Sequence, residues 1–290
     1  MPQTPLNLLI LFTALIGYLV AAAGLALCLR HSRQSQAQPG KLWLFVGIGL
    51  LASAAHLSLL WQTLFQAQGI ALSLFPVISL TGWLIGLIAL GIIAIDGLSR
   101  TANTETGQQG MLSLPVVILP LVAGSILPAA LLPGSSFLEQ PGWPLTLHIL
   151  SSLLAYSLFA VAAMLAILLG IQDYRLRRHK SAAWFGLLPP LAELEILLFA
   201  FIGVGFVLLT LALFSGLIFV DNLMAQHLIH KTTLSVCAWL IFGLLLLGRW
   251  RKGWRGRRAI RWTLGGFIVL ALAYFGSKAV LEIILNQHWG

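Results

Sequence analysis

Charged side chains are scarce in this chain of 290 residues. Only 9% of the residues are Asp, Glu, Lys or Arg, whereas 59% are hydrophobic. A soluble globular domain usually carries about 25% charged residues on its hydrated surface. The shortage therefore excludes a soluble globule and predicts an integral membrane protein. We expect an all-α fold, a polytopic bundle of transmembrane helices, because helices satisfy their own backbone hydrogen bonds in lipid.

Cysteine is equally rare. Cys28 and Cys237 lie in separate apolar runs, and neither belongs to a Cys-x-x-Cys pair. This spacing argues against a zinc site and against a disulfide. The sequence also lacks a Gly-x-Ser-x-Gly motif, a Walker-type loop and a His-Glu-x-x-His motif. Nothing in it predicts bond-making catalysis, so we expect no enzyme.

Basic residues, by contrast, exceed acidic ones by 17 to 8, and the formal net charge is +9. Such an excess is also found in nucleic-acid-binding proteins. Here, 15 of the 17 Lys and Arg fall in short segments between apolar runs, as expected for cytoplasmic loops of a membrane protein. The densest segment, Arg249 to Arg261, has tryptophans between its basic residues and predicts an anchor to anionic lipid. We therefore predict the lipid bilayer as a partner and no nucleic acid.

Apolar runs long enough to cross a bilayer recur along the chain. They predict eight transmembrane helices within a single membrane domain, 1–290, and the basic loops predict that both termini lie outside. An amphipathic stretch, 181–195, is predicted to lie along the membrane surface, with Glu193 and Glu195 suited to the positive end of the next helix. Gly82 and Gly86 predict a close helix–helix contact. The predicted spans are about 6–29, 42–65, 70–95, 111–132, 146–171, 196–219, 230–247 and 262–285.

Three segments carry a family resemblance: Leu187 to Gly216, His230 to Ala259, and Ala273 to Lys278. With these segments the chain resembles the CcsA/CcmC-type cytochrome c assembly family, and within it the YpjD/HemX-like branch. The resemblance covers about residues 40–285. It implies a multi-pass protein of the bacterial inner (cytoplasmic) membrane that handles haem and delivers it at the outer face for cytochrome c maturation.

The same resemblance matches His148 to the first of two histidines that flank an outer tryptophan-rich loop in the family. The loop itself differs here, because the sequence between the sixth and seventh spans is IFVDNLMAQHLI. The seventh span has Leu-Gly where better-known members have a histidine, and the last span lacks a clear Gly-Leu-His-Ser-Tyr sequence. We therefore expect this chain to share the family's fold and topology more fully than its role in haem export.

Histidines concentrate on one predicted side. The topology puts His148, His227, His230 and His288 at the outer face, where neutral imidazole suits axial ligation of haem b. Polar caps at helix ends are the alternative. Within the membrane, roughly 10 to 15 Å below that face, His56 is expected either to hydrogen-bond a serine or carbonyl or to serve as a ligand.

Two lysines, Lys231 and Lys278, are the basic residues predicted in the outer half. They would pair with haem propionates or form internal salt bridges with Asp221 or Glu282. The leading hypothesis is a haem-handling membrane protein that holds or presents haem b at the outer face. The alternative is an accessory or regulatory subunit of another inner-membrane protein, such as a transporter or haem-biosynthesis factor, that has lost the haem platform.

Overall fold

A computed structural model of the chain describes residues 5–32, 39–66, 69–71, 73–102, 113–132, 137–138, 142–177, 190–219 and 226–276. Within these ranges, eight helices are long and apolar enough to cross a membrane, which confirms the predicted all-α transmembrane fold. The helices are α1 Pro5–Ser32, α2 Pro39–Leu64, α3 Leu74–Ala102, α4 Ser113–Leu131, α5 Trp143–Arg177, α6 Leu191–Phe219, α7 Gln226–Lys252 and α8 Arg257–Ala271. A π-helical turn, Leu272–Gly276, continues α8.

Short strands accompany the helices. β1 Phe65–Gln66 and β2 Gly69–Ala71 pair antiparallel, with Phe65 opposite Ile70. This hairpin joins α2 to α3, so α3 begins at Leu74 and not at the predicted Ile70. A third short strand, β3 Phe137–Leu138, precedes α5.

Other predicted boundaries change as well: α3 and α5 end later than predicted, at Ala102 and Arg177. Residues 191–195, predicted to lie along the membrane surface, form the start of α6, and Glu193 lies in its first turn. The helix begins directly after Pro190, and a carboxylate there stabilises the positive helix end. The last helix begins at Arg257, not at 262, because Gly253 (φ 61°) and Gly256 (φ 54°) make a tight turn after α7. Both termini lie outside the described residues, so their placement stays a prediction.

Contacts divide the chain into two compact units. The first, Met1–Phe137 with Ala182–Pro190, contains α1 to α4; the second, Leu138–Ser181 with Leu191–Gly290, contains α5 to α8. In each unit, neighbours in sequence pack together and the first helix also packs on the last. The single membrane domain, 1–290, stays a prediction.

Glycines bring the helices of the first unit close together. A Cβ atom on Gly82 of α3 would lie 2.7 Å from the Ser125 Oγ of α4, and one on Gly86 would lie 3.4 Å from Val122. The predicted small-residue contact is therefore confirmed. Gly24 of α1 likewise lies directly against the Phe45 ring of α2. Close backbone approach increases van der Waals packing, which helps to hold helices together in lipid, where the hydrophobic effect does not draw them together.

A stacked aromatic pair forms the centre of the second unit. The rings of Phe159 on α5 and Phe242 on α7 stack with centroids 3.9 Å apart, and both side chains are fully buried. Gly205 of α6 lies against Phe159 and Gly266 of α8 against Phe242. The pair thus contacts every helix assigned to this unit.

The basic helix ends of the second unit converge. Arg177 at the end of α5, Lys252 at the end of α7 and Arg257 at the start of α8 line one depression with Glu195 of α6. His148 lies near the other end of α5, roughly 43 Å from Arg177 along the helix axis. This separation of histidine and arginine agrees with the predicted sidedness, whereas the orientation in a membrane stays a prediction.

We expect Gly266→Ala to destabilise the second unit by about 1–3 kcal/mol, because the added Cβ would lie 2.9 Å from Cζ of Phe242 and force the stacked pair apart. Thermal unfolding of the purified protein in detergent measures the effect. The matched control is the neighbouring Gly265→Ala, where nothing lies within 4 Å of the new atom. Equal melting temperatures for the two variants would contradict this account of the core.

Candidate functional site

His148 is the predicted ligand with the clearest surroundings. It lies in the second turn of α5 and is half-buried. Its Nδ1 is 2.8 Å from the carbonyl oxygen of Ala212 and 3.2 Å from Oγ of Ser215, both on α6. The Ser215 hydroxyl donates to the same carbonyl at 3.0 Å. The imidazole is therefore held in one orientation by the neighbouring helix.

This arrangement decides which ring nitrogen is available. A carbonyl oxygen can only accept, so Nδ1 of His148 carries the hydrogen and donates it to Ala212. In the neutral ring, Nε2 then bears the lone pair. Among the described residues Nε2 has no hydrogen-bond partner. Metal-bound histidines show the same arrangement, with one nitrogen on the metal and the other donating to a carbonyl or carboxylate.

Gly216 makes room for this ring. A Cβ atom at Gly216 would lie 2.9 Å from Cε1 of His148 and 3.3 Å from its Nδ1. Any side chain there would push the imidazole away from α6 and lengthen its hydrogen bond to Ala212. The sequence-based prediction did not single out Ser215 and Gly216, although they are the last two residues of the family-like segment Leu187 to Gly216.

His56 occupies a different environment, inside the first unit. It is 1% exposed, with Nε2 2.8 Å from Oγ of Ser79 on α3 and Nδ1 3.5 Å from the hydroxyl of Tyr18 on α1. The hydrogen bond to a serine, one of the two sequence-based alternatives, is present. Because both nitrogens face hydroxyl groups, ligation by His56 would require one of these contacts to break.

The other predicted site residues are described less fully. His227 and His230 lie in the first turns of α7, which begins at Gln226 and not at the predicted His230, and their side chains are outside the described part of the structure. Lys231 follows in α7 and is half-buried. Lys278, Asp221, Glu282 and His288 lie outside the described residues. His56 and His148 belong to different units, and a shared haem between them stays a prediction.

In the described residues, no three His, Cys, Asp or Glu side chains gather in a way that could hold a metal ion. The candidate site is therefore a single histidine, His148, with an oriented ring and an available nitrogen.

These features define a multi-pass α-helical membrane protein with an oriented histidine near one end of a long helix. The chain belongs to the cytochrome c assembly protein family, whose model matches residues 43–285. No solved structure matches it.

Two similar proteins support this family assignment. The chain is 36% identical to the inner membrane protein YpjD of Escherichia coli K12 over 199 residues, which cover 68% of this chain and 73% of the relative. It is 27% identical over 145 residues to the cytochrome c biogenesis protein CcsA of Chlamydomonas reinhardtii, covering 49% of this chain and 40% of that protein. The apolar helices and the YpjD relative together support a multi-pass protein of the bacterial inner membrane.

We expect Ser79→Ala to destabilise the first unit by about 0.5–2 kcal/mol, because Nε2 of buried His56 would lose its partner on α3. Ser58→Ala is the matched control, since Ser58 only hydrogen-bonds its own helix, at the carbonyl of Ala55. Melting temperatures in detergent compare the two variants. If the melting temperature of Ser79→Ala is no lower than that of Ser58→Ala, the interhelical hydrogen bond contributes nothing to the stability of the first unit.

Proposed function

We propose that this protein holds haem b at the outer face of the inner membrane, with Nε2 of His148 as an axial ligand, and passes it on without catalytic turnover. The observation that carries the proposal is the hydrogen bond from Nδ1 of His148 to the Ala212 carbonyl, which leaves Nε2 with a lone pair. Membership of the cytochrome c assembly family supports haem as the ligand.

The residues of this chain fit the role of an axial-ligand site. Haem iron accepts a neutral imidazole nitrogen as an axial ligand. Ala212 and Ser215 fix the tautomer and the ring plane, and Gly216 keeps the ring close to α6. A ring that is already oriented loses little rotational freedom when it binds.

The remaining parts of the proposal rest on the sequence. His230 or His56 would supply a second axial ligand, and Lys231 and Lys278 would pair with the propionates. The outer location follows from the predicted orientation, in which the arginine-rich ends face the cytoplasm.

An accessory or regulatory role is the second candidate. The sequence between α6 and α7 lacks the tryptophan-rich character of the family's haem platform. This absence favours a protein that keeps the family's helix bundle but does not bind haem. Affinity purification from native membranes separates the two functions. Colourless protein with a stoichiometric membrane partner would support the accessory role, whereas haem-loaded protein supports the leading one.

Replacement of His148 tests the ligand directly. After haem-replete expression, we expect wild-type protein to show a Soret band. The absorbance of that band per protein should be at least about tenfold lower in His148→Ala, because the axial nitrogen is gone. Imidazole added to the variant should restore the band by filling the space. His31→Ala, which removes a histidine from the end of α1, is the control and should keep its haem. No Soret band in wild-type protein would overturn the proposal.

Substitution of Gly216 tests the orientation of the ring and leaves His148 in place. We expect Gly216→Ala to weaken haem binding by about tenfold, because the new Cβ displaces the imidazole from Ala212. Haem titration of the two purified proteins measures it. Gly203→Ala is the matched control on the same helix, where nothing lies within 4 Å of the added atom. Equal haem affinities in both variants would mean that the contact with α6 does not position the ligand.

A further inference from the structure

Two depressions lie side by side at the basic end of the second unit, away from His148. Their volumes are about 560 Å³ and 520 Å³. Arg177 of α5 and Arg257 and Arg261 of α8 line both of them. We call the two depressions together the arginine pocket. They are formed where α5 and α7 end and where α8 begins.

Positive charge dominates the arginine pocket. The larger depression is lined by six cationic side chains and one carboxylate, that of Glu195. Glu195 already accepts a hydrogen bond from the backbone N–H of Gly256. The smaller depression adds Asp173, whose two oxygens each lie 3.1 Å from Nε of Arg177. The cationic side chains of the larger depression are Arg177, Lys252, Arg255, Arg257, Arg258 and Arg261.

The carboxylates therefore leave much of the positive charge unmatched. Arg257 and Arg261 are one turn apart on α8, a spacing at which like charges repel each other. The Arg261 Nε contacts only the backbone carbonyl of Arg257, at 3.4 Å, among its described neighbours. Arg258 is turned onto the Trp254 ring, 5.2 Å from its centroid. An anion between Arg177, Arg257 and Arg261 would relieve the repulsion.

A second, independent observation also points to an acceptor. Trp254 lines the larger depression, and its indole Nε1 is buried without a hydrogen-bond partner among the described residues. Its ring lies directly against Gly248 of α7, so the indole is fixed in place. A buried donor without an acceptor is unfavourable, and an anionic oxygen is the kind of acceptor that would satisfy it.

The surroundings of the pocket indicate the source of the anion. The helices that form it are apolar along their length. Tyr174, 56% exposed, lines the smaller depression, and Trp250, 79% exposed, lies on α7 two residues before Lys252. Aromatic side chains of this kind collect at the depth of lipid headgroups. Arginine clusters between membrane helices at that depth bind phosphate-bearing headgroups.

We propose that the arginine pocket binds the phosphate of an anionic phospholipid headgroup, held by Arg177, Arg257 and Arg261. Guanidinium groups bind phosphate through two parallel N–H donors, which a lysine cannot reproduce. The pocket thus differs from a diffuse basic belt, because particular arginines carry the binding. This site is separate from the histidine site and does not depend on haem.

Native mass spectrometry of the delipidated, full-length protein tests the proposal with phosphatidylglycerol, zwitterionic phosphatidylcholine or inorganic phosphate. We expect wild-type protein to retain phosphatidylglycerol in preference to phosphatidylcholine. Arg257→Gln and Arg261→Gln should each weaken that binding by about tenfold. Arg261→Lys keeps the positive charge but loses the planar guanidinium group. Its affinity for phosphatidylglycerol should lie between those of wild-type protein and Arg261→Gln.

The matched control is Arg251→Gln, which removes the same charge from the nearby end of α7 but does not line the pocket. It should bind phosphatidylglycerol as wild-type protein does. Equal binding of both lipids by wild-type protein, or an equal loss in Arg251→Gln, would overturn the proposal in favour of non-specific attraction. Displacement of the lipid by inorganic phosphate at similar concentration would instead indicate a site for free phosphate. Because the wild-type comparison needs no variant, the test stands even if a variant misfolds.

Discussion

Rings packed directly on glycine are the contact on which this structure depends most. Phe45 lies on Gly24 in the first unit, and Phe159 and Phe242 lie on Gly205 and Gly266 in the second. In lipid the hydrophobic effect does not drive helices together, so they associate where small residues allow backbone and ring to touch. The same kind of contact builds both functional candidates: the His148 ring lies on Gly216 and the Trp254 ring on Gly248. Core packing and site geometry in the second unit therefore have a common origin.

Much of the architecture could be predicted from the sequence, because spans and basic loops are local properties. The positions of α1 to α8 follow the apolar runs to within a few residues at most ends. Two of the exceptions are informative: the β1–β2 hairpin delays α3, and the glycine turn at 253–256 sets the start of α8. Both depend on backbone conformation over a few residues, which hydropathy does not report.

The partners of the candidate residues could not be predicted in the same way. His148 was singled out, but its hydrogen bond reaches Ala212 on another helix. A serine was one of the partners considered for His56, yet only the packing of α2 on α3 selects Ser79 over nearer serines. Gly216 carries no chemistry of its own, and its importance appears only when the neighbouring helix is present. Side-chain identity thus indicates which residues need partners, whereas tertiary packing decides which partners they receive.

The π-helical turn at Leu272–Gly276 has a consequence for the last helix. A turn of this kind holds more residues than an α-helical turn, so the side chains of Leu272 to Gly276 do not keep the spacing of about 100° per residue of the helix before them. The Tyr156 hydroxyl, which donates to the Leu270 carbonyl at 2.8 Å, fastens α8 to α5 just before this change. One helical wheel therefore cannot describe residues 257–276: the face that Arg257 to Ala271 turn toward α5 and α7 loses its phase at Leu272.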